Sequence, residues 1–281
     1  SRGLGDVYKR QHLNLTINMA KKVAEQLVDT LIEAGVRRIY AVTGDSLNEV
    51  NEAVRQNEAM KWIHVRHEET GAYAAGAEAQ LTGLPGCCAG SSGPGHVHLI
   101  NGLYDAHRSG APVIAIASTI PTGEFGTEYF QETNTVKLFN DCSFYNEVAT
   151  TPEQFPRMLQ SALQTATTRK GVAVVGLPGD LAKKPAVKVE SSEQIYPLAS
   201  SVCPAEEDLI RLAGMLNHYE RITLFCGIGC KGAHEEIIRM SETLNAPVAY
   251  TFKGKMEVQY DNPYEVGMTG LLGMPLSLIH I

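Results

Sequence analysis

The chain has 281 residues, 44% of them hydrophobic, and carries 24 lysine and arginine against 31 aspartate and glutamate side chains, a formal net charge of −7. That length suits about two domains, each with its own core, and the acidic balance excludes broad binding of nucleic-acid phosphates, which needs a basic face. No window approaches the roughly eighteen consecutive apolar residues of a membrane span, and no basic-then-apolar leader opens the sequence, so a cytoplasmic location is expected.

Residues 6–11 read DVYKRQ, which GAT GTG TAT AAG AGA CAG encodes, and the reverse complement of that DNA encodes LSLIHI, residues 276–281. This inverted repeat resembles the transposon end used as a sequencing-library adapter, so residues 1–18 and 276–281 are set aside as adapter-like or upstream sequence. A natural start is expected at Met19, with the natural protein continuing beyond Met274.

From Met19 onward helix and strand patterns alternate with short connections, as in a parallel sheet covered on both faces. Val23, Leu27, Leu31 and Ile32 recur at helical spacing, and Gly35 stands where a helix C-cap belongs. Residues 38–42 read as a strand, Thr43-Gly44-Asp45 as the turn at its carboxyl end, and Ser46 with Glu49 as a capping box opening the next helix. Such a turn lies where open α/β sheets bind ligands. Further strands are expected at 62–65, 86–89, 113–117 and 172–177, and helices at 69–81, 97–107 and 152–168. Six strands, five of them at these positions, are expected to close a first domain over 19–181, and residues 182–201, rich in Lys, Ser, Pro and Val, read as a linker. A second α/β unit, 202–275, shows a helix at 204–219, a strand at 222–226, a glycine turn, a helix at 232–244 and a strand at 248–252, and is expected to be cut short.

Cys87, Cys88, Cys142, Cys203, Cys226 and Cys230 sit in apolar runs, as small core residues of a reducing compartment do. Cys226 and Cys230 are four apart, but no second Cys or His pair follows at zinc spacing, so no metal site is expected there.

One acid, Glu68, stands between a buried-looking strand and an apolar helix. The helix dipole alone favours an acid in a first turn, and the adjacent Glu69 can equally be the solvated member of the pair. Downstream, Ser91-Ser92-Gly93-Pro94-Gly95 allows close approach of backbone to a ligand, because two of its residues lack a Cβ. Together they suggest a cofactor site that reads one heterocycle with one acid.

The runs VRHEE, AAGAEAQLTG and GSSGPGHVHLINGLYDAHRSGAPVIAIA, followed by Tyr129-Phe130-Gln131-Glu132-Thr133, resemble the pyrimidine-binding domain of thiamine-diphosphate enzymes. Within that superfamily the chain resembles the quinone-dependent pyruvate dehydrogenases, or pyruvate oxidases, from Met19 through Gly273, including residues 42–48 and 261–270. The resemblance implies an α/β fold: a doubly wound parallel-sheet pyrimidine-binding domain, then a truncated Rossmann-like flavin domain. It assigns Glu68 to the cofactor pyrimidine, where a carboxylate on ring nitrogen N1′ favours the imino tautomer and so the removal of the thiazolium C2 proton. Phe130, Gln131 and His98 resemble residues facing the reacting carbon, and Gly44, Asp45, Gly93, Pro94 and Gly95 would shape backbone around the cofactor. As plain turns and loop anchors, these residues would need no such role.

In the second unit the turn with Gly227 and Gly229 can receive a phosphate, although Gly-Ile-Gly without a full dinucleotide fingerprint is a weak signal. The resemblance adds Thr251, Lys253, Thr269, Gly270, Leu271 and Leu272 as FAD contacts. It implies oxidative decarboxylation of pyruvate to acetate and carbon dioxide, with electrons passed through FAD to ubiquinone. It further implies a homo-oligomer, typically a tetramer, with peripheral contact to the inner face of the cell membrane through an absent C-terminal segment. The family holds the diphosphate through Mg²⁺ on a Gly-Asp-Gly motif that does not occur here, since Gly44-Asp45 precedes Ser46 and Gly179-Asp180 precedes Leu181. Magnesium ligands are therefore expected in a further domain. Two alternatives stand beside this reading: an acetolactate synthase-like carboligase, which the Gly-Asp-Ser-Leu-Asn segment disfavours, and a non-catalytic binding module in which Glu68 only opens a helix.

Overall fold

The computed structural model describes residues 21–187, 202–270 and 273; residues 1–20, 188–201 and 274–281, and with them the expected adapter-like ends and most of the expected linker, lie outside the described residues, as do Leu271 and Leu272. The chain divides into two compact units at Ser200/Ser201.

The first unit runs α1 (Val23–Glu33), β1 (Arg38–Ala41), α2 (Asn48–Arg55), β2 (Lys61–His64), α3 (Glu68–Thr82), β3 (Gly86–Gly90), α4 (Pro94–Val97), α5 (Ile100–Arg108), β4 (Val113–Thr119), α6 (Thr135–Leu138), β5 (Tyr145–Val148), α7 (Phe155–Arg169), β6 (Val172–Pro178) and α8 (Gly179–Ala182). Its six strands are all parallel in the order β2-β1-β3-β4-β6-β5. Alternation along the central strands feeds two cores. Cys87, Ala89, Ile114, Ile116, Ala173 and Val175 pack with α1, α2 and α7 on one face. Cys88, Val113, Ala115, Ala117, Val172 and Val174 pack with α3 and α5 on the other. A strand buried on both faces has no polar side, which is why residues 113–117 of β4 and the whole of β6 read as apolar runs.

Small residues set how close α3 lies to the sheet. A Cβ on Gly71 would stand 2.9 Å from the Tyr40 carbonyl oxygen, and one on Gly86 only 2.1 Å from that of Ala75. Gly102 of α5 brings the second helix equally near, 2.5 Å from the Ala72 Cβ on the same construction. This packing seats the middle of α3 on the amino end of β3 and its first turns near the carboxyl end of β1.

Several sequence expectations need correction. The sixth strand is β5, which pairs with β6 at the sheet edge and whose half-buried, partly polar sequence carries no strong strand pattern. The helix expected at 97–107 is two helices, α4 and α5, and the one expected from 152 starts at Phe155. The first unit does not end at Leu181: Ala182 is fully buried, Val23 N donates to Lys184 O at 3.0 Å, and Lys22 bridges to Pro185. Residues 182–187 thus belong to the first unit and not to a linker. Cys203 is exposed, unlike the core thiols Cys87, Cys88 and Cys142.

The second unit runs α9 (Glu206–His218), β7 (Leu224–Cys226), α10 (His234–Leu244), β8 (Val248–Tyr250), α11 (Lys255–Val258) and β9 (Glu265–Met268), with a parallel β7-β8-β9 sheet. Its small core gathers Cys226, Ile237, Val248, Tyr250 and Val258. No helix among the described residues is long and apolar enough to cross a membrane.

Candidate active site

The winding of the first sheet reverses between β1 and β3, and a crevice at the carboxyl ends of such neighbours is where open α/β sheets take ligands. The loop after β1 and the loop after β3 meet there. A Cβ on Gly44 would fall 2.4 Å from the Ser91 Cβ, so only glycine fits. Ser92 N donates to Ser46 Oγ at 2.9 Å, and the Ser118 hydroxyl donates to Ser46 O at 2.8 Å. Ser46 therefore ties two loops together instead of forming the expected capping box, and Glu49 pairs with Lys22 at 2.8 Å. The helix α2 begins only after a short 3-10 turn, Asp45–Leu47.

Glu68 enters this crevice from the side. The chain leaves β2 at His64 and α3 opens with His67 as its N-cap, the Nδ1 accepting from Glu69 N at 3.3 Å. Glu68 is 8% exposed, whereas Glu69 is only half-buried and receives the Asn101 amide at 3.3 Å. Helix-start rules do not distinguish the two acids; burial does, since Glu68 is the one packed inward. Glu68 Oε2 lies 3.0 Å from His98 Nδ1, and the His98 ring stacks on His67 with centroids 4.5 Å apart. On the other side, a Cβ on Gly95 would lie 3.4 Å from Glu68 Oε1 and 2.5 Å from Ser91 Oγ. One carboxylate oxygen is held by an imidazole and the other faces a cradle that a side chain would fill.

Gln131 reaches the same glycine loop. Gly93 has φ +64°, and a Cβ there would strike Gln131 Cβ at 2.7 Å. The Ser92 hydroxyl donates to Gln131 Oε1 at 2.9 Å, leaving the amide NH₂ as its remaining donor. Gln131 itself holds φ +66°, a conformation a non-glycine residue adopts only when its surroundings impose it. Phe130 is 79% exposed, so the described residues do not form it into a wall of the site. A cavity of about 770 Å³ opens beside Gln131, lined also by His96, Ile120, Tyr129, Thr133 and Val136. Glu68 and His98 are not among its lining residues, so the acid and the cavity are neighbouring features joined through the Gly93–Gln131 contact.

Sequence reasoning missed His67, Ser92 and His96. The His96-Val97-His98 alternation was a signal, because a single turn cannot direct both rings to one side. His96 is buried, its Nδ1 2.8 Å from Ser118 O and its Nε2 2.6 Å from Thr133 Oγ1. Burial pushes its pKa below 6.5, against the raising effect of the Ser118 carbonyl. The unfolded chain therefore takes up a proton on this residue first, so the associated stability is complete above the unfolded value and is lost as pH falls through the folded one. Urea titrations followed by Trp62 fluorescence are expected to show stability falling as pH drops below the ordinary histidine value of about 6.5, with a shallower fall in His96→Gln.

In the second unit, Thr251 Oγ1 accepts from Gly254 N at 3.2 Å and lies 3.7 Å from where a Gly227 Cβ would stand. Gly227 and Thr251 thus meet at the carboxyl ends of β7 and β8, while nothing lies within 4 Å of a Gly229 Cβ. Lys253 sits in the 3-10 turn after β8, and Thr269 N donates to Tyr250 O at 2.9 Å ahead of Gly270, whose φ is +120°.

Residues 21–138 match the family profile described as the thiamine pyrophosphate enzyme, N-terminal TPP binding domain, and residues 209–277 match the central domain of the same enzymes. The chain carries the N-terminal and central domains of a thiamine pyrophosphate enzyme. The N-terminal match spans Gly44, Glu68, Gly95, His98 and Gln131, so the crevice and its acid lie inside the TPP-binding segment. Over 253 residues, 90% of this chain and 64% of the relative, it is 51% identical to the "Uncharacterized 42.6 kDa protein in isoamylase 3'region" of Pseudomonas amyloderamosa. It is 36% identical to the pyruvate oxidase of Lactiplantibacillus plantarum over 83% of this chain and 39% of that protein. It is 29% identical to the chloroplastic acetolactate synthase of Arabidopsis thaliana over 90% of this chain and 38% of that protein. The chain thus spans less than two thirds of each of these relatives.

Proposed function

We propose that the protein is a thiamine-diphosphate-dependent enzyme acting on pyruvate, with the aminopyrimidine of the cofactor read by Glu68. The observation that carries this reading is the buried Glu68 carboxylate, held through Oε2 by His98 at 3.0 Å and open through Oε1 toward Gly95. A carboxylate so placed suits a heterocycle nitrogen, and the absence of a Cβ at Gly95 keeps a side chain from covering its second oxygen. When bound, the cofactor supplies the thiazolium carbon that attacks and cleaves next to a 2-keto group. Glu68 would hold the proton at the pyrimidine nitrogen, His98 would orient Glu68, and Gln131 would offer its NH₂ to the substrate carbonyl from a position set by Ser92. Magnesium finds no matching fit among the described residues. Asp45 is occupied by Ser46 N at 2.7 Å and Asp180 by Thr122 N and Oγ1 at 2.9 and 2.7 Å. Its ligands are assigned to the length of the relatives that this chain does not span.

The finer reading is a quinone-linked pyruvate dehydrogenase: acetate and carbon dioxide from pyruvate, with electrons passed through FAD in the central domain to ubiquinone. Gly227, Thr251, Thr269 and Gly270 would approach the flavin in a cytoplasmic homotetramer that touches the membrane peripherally. Similarity to an acetolactate synthase over 90% of the chain favours a second reading, a carboligase that joins two pyruvates. The full-length protein, supplied with pyruvate, thiamine diphosphate, Mg²⁺ and FAD, separates them. Acetate formed one for one with reduced quinone is the expected result; acetolactate without quinone reduction overturns it in favour of the carboligase.

A further inference from the structure

We propose that His67, Glu68 and His98 also form a binding site for a divalent transition-metal ion of the zinc class. Each offers one ligand atom, and these atoms lie within 4.8 Å of one another. Two imidazoles and one carboxylate form a donor set that suits zinc or cobalt rather than magnesium or calcium, which prefer oxygen. With metal–ligand bonds of about 2.0–2.2 Å, neighbouring ligand atoms stand roughly 3.0–3.6 Å apart. Glu68 Oε2 and His98 Nδ1 already meet that spacing at 3.0 Å, so an ion can take the place of the proton between them.

His67 must move. Its ring is stacked on His98 at an interplanar angle of 25°, and two nearly parallel rings cannot both aim a lone pair at one ion. The two side chains are 48% and 44% exposed, so the turn meets solvent rather than packed core. The capping contact that His67 Nδ1 gives up, to Glu69 N at 3.3 Å, is long. The Glu69 carboxylate lies 3.8 Å from the same Nδ1. With the ion on Nε2, Nδ1 carries the proton and can donate to Glu69, the outer carboxylate that metal-bound histidines commonly hold. Three protein ligands leave a fourth position for water, which makes the site open and exchangeable rather than structural. One consequence rests on the proposed function: Glu68 cannot serve the pyrimidine nitrogen while it ligates an ion, so the two occupancies exclude each other.

Titration of Co²⁺ into the chelator-washed chain tests the site. One ion per chain is expected, with visible ligand-field bands, no thiolate charge-transfer band, and displacement by Zn²⁺. His98→Gln and His67→Gln are each expected to weaken binding about ten-fold or more, as loss of a ligand does, with circular dichroism unchanged. Cys226→Ser is expected to leave it unaltered, which separates this site from the thiols. No saturable binding up to millimolar Co²⁺, or binding of equal strength in both histidine variants, overturns the proposal. Such a failure leaves the cofactor reading standing, because that reading is tested by proton exchange on thiamine diphosphate and not by metal affinity.

Discussion

Glu68→Gln in the full-length protein is expected to slow exchange of the thiamine diphosphate C2 proton by about two orders of magnitude or more, the scale of a lost general acid–base group. The geometry gives the reason. The carboxylate is buried, one oxygen is fixed by His98, and the other faces the Gly95 cradle, so an amide of the same shape keeps the packing and loses the charge. His98→Gln removes only the group that orients Glu68, and a smaller loss of about ten-fold is expected. Exchange is read by quenched-flow proton NMR with the cofactor saturating. Unchanged exchange in Glu68→Gln would reduce the acid to helix-start electrostatics, worth about 0.3–1 kcal/mol of stability.

The largest effect on stability is expected from Gly86→Ala. The added Cβ would stand 2.1 Å from the Ala75 carbonyl oxygen, a backbone atom of α3 that cannot swing aside as a flexible side chain would. Relief requires α3 to shift away from β3, with loss of packing across the second core, and a cost of about 3 kcal/mol or more is expected. Because Glu68 begins the same helix, the displacement also moves the acid out of register with Gly95. Gly123→Ala is the control: nothing lies within 4 Å of its Cβ, and a change within about 0.5 kcal/mol is expected. The single tryptophan, Trp62, packs against the first core, so urea unfolding followed by its fluorescence reports this unit alone. Equal midpoints for the two variants would show that α3 does not sit where these contacts place it.

The readable parts of the fold are those with strong periodicity. Apolar strands buried on both faces, β3, β4 and β6, fall within a residue or two of their expected bounds, as does α3 with its small-residue repeat. The strand β5 escaped because Tyr145, Asn146, Glu147 and Val148 lie at an edge with partial burial, where neither alternation nor an apolar run is required. Ser46 misled because a serine followed three residues later by glutamate satisfies a local rule, while its hydroxyl is taken by Ser92 from a loop 46 positions away. Non-local demand of that kind leaves no trace in a short window.

The sequence by itself determined the parallel α/β class, the family resemblance, the presence of an acid at a helix start and the glycine loop that could face it. Local spacing and backbone permissiveness suffice for these, since they depend on neighbours along the chain. Only the tertiary structure decided which of the two adjacent acids is buried. The strand order sets β1 beside β3 and brings Gly44, Ser91 and Gly95 together, and the close seating of α3 on Gly71 and Gly86 turns Glu68 inward while Glu69 stays half-buried. Burial of one carboxylate of an adjacent pair is a property of packing between distant segments, and no pattern within Glu68-Glu69 could have stated it.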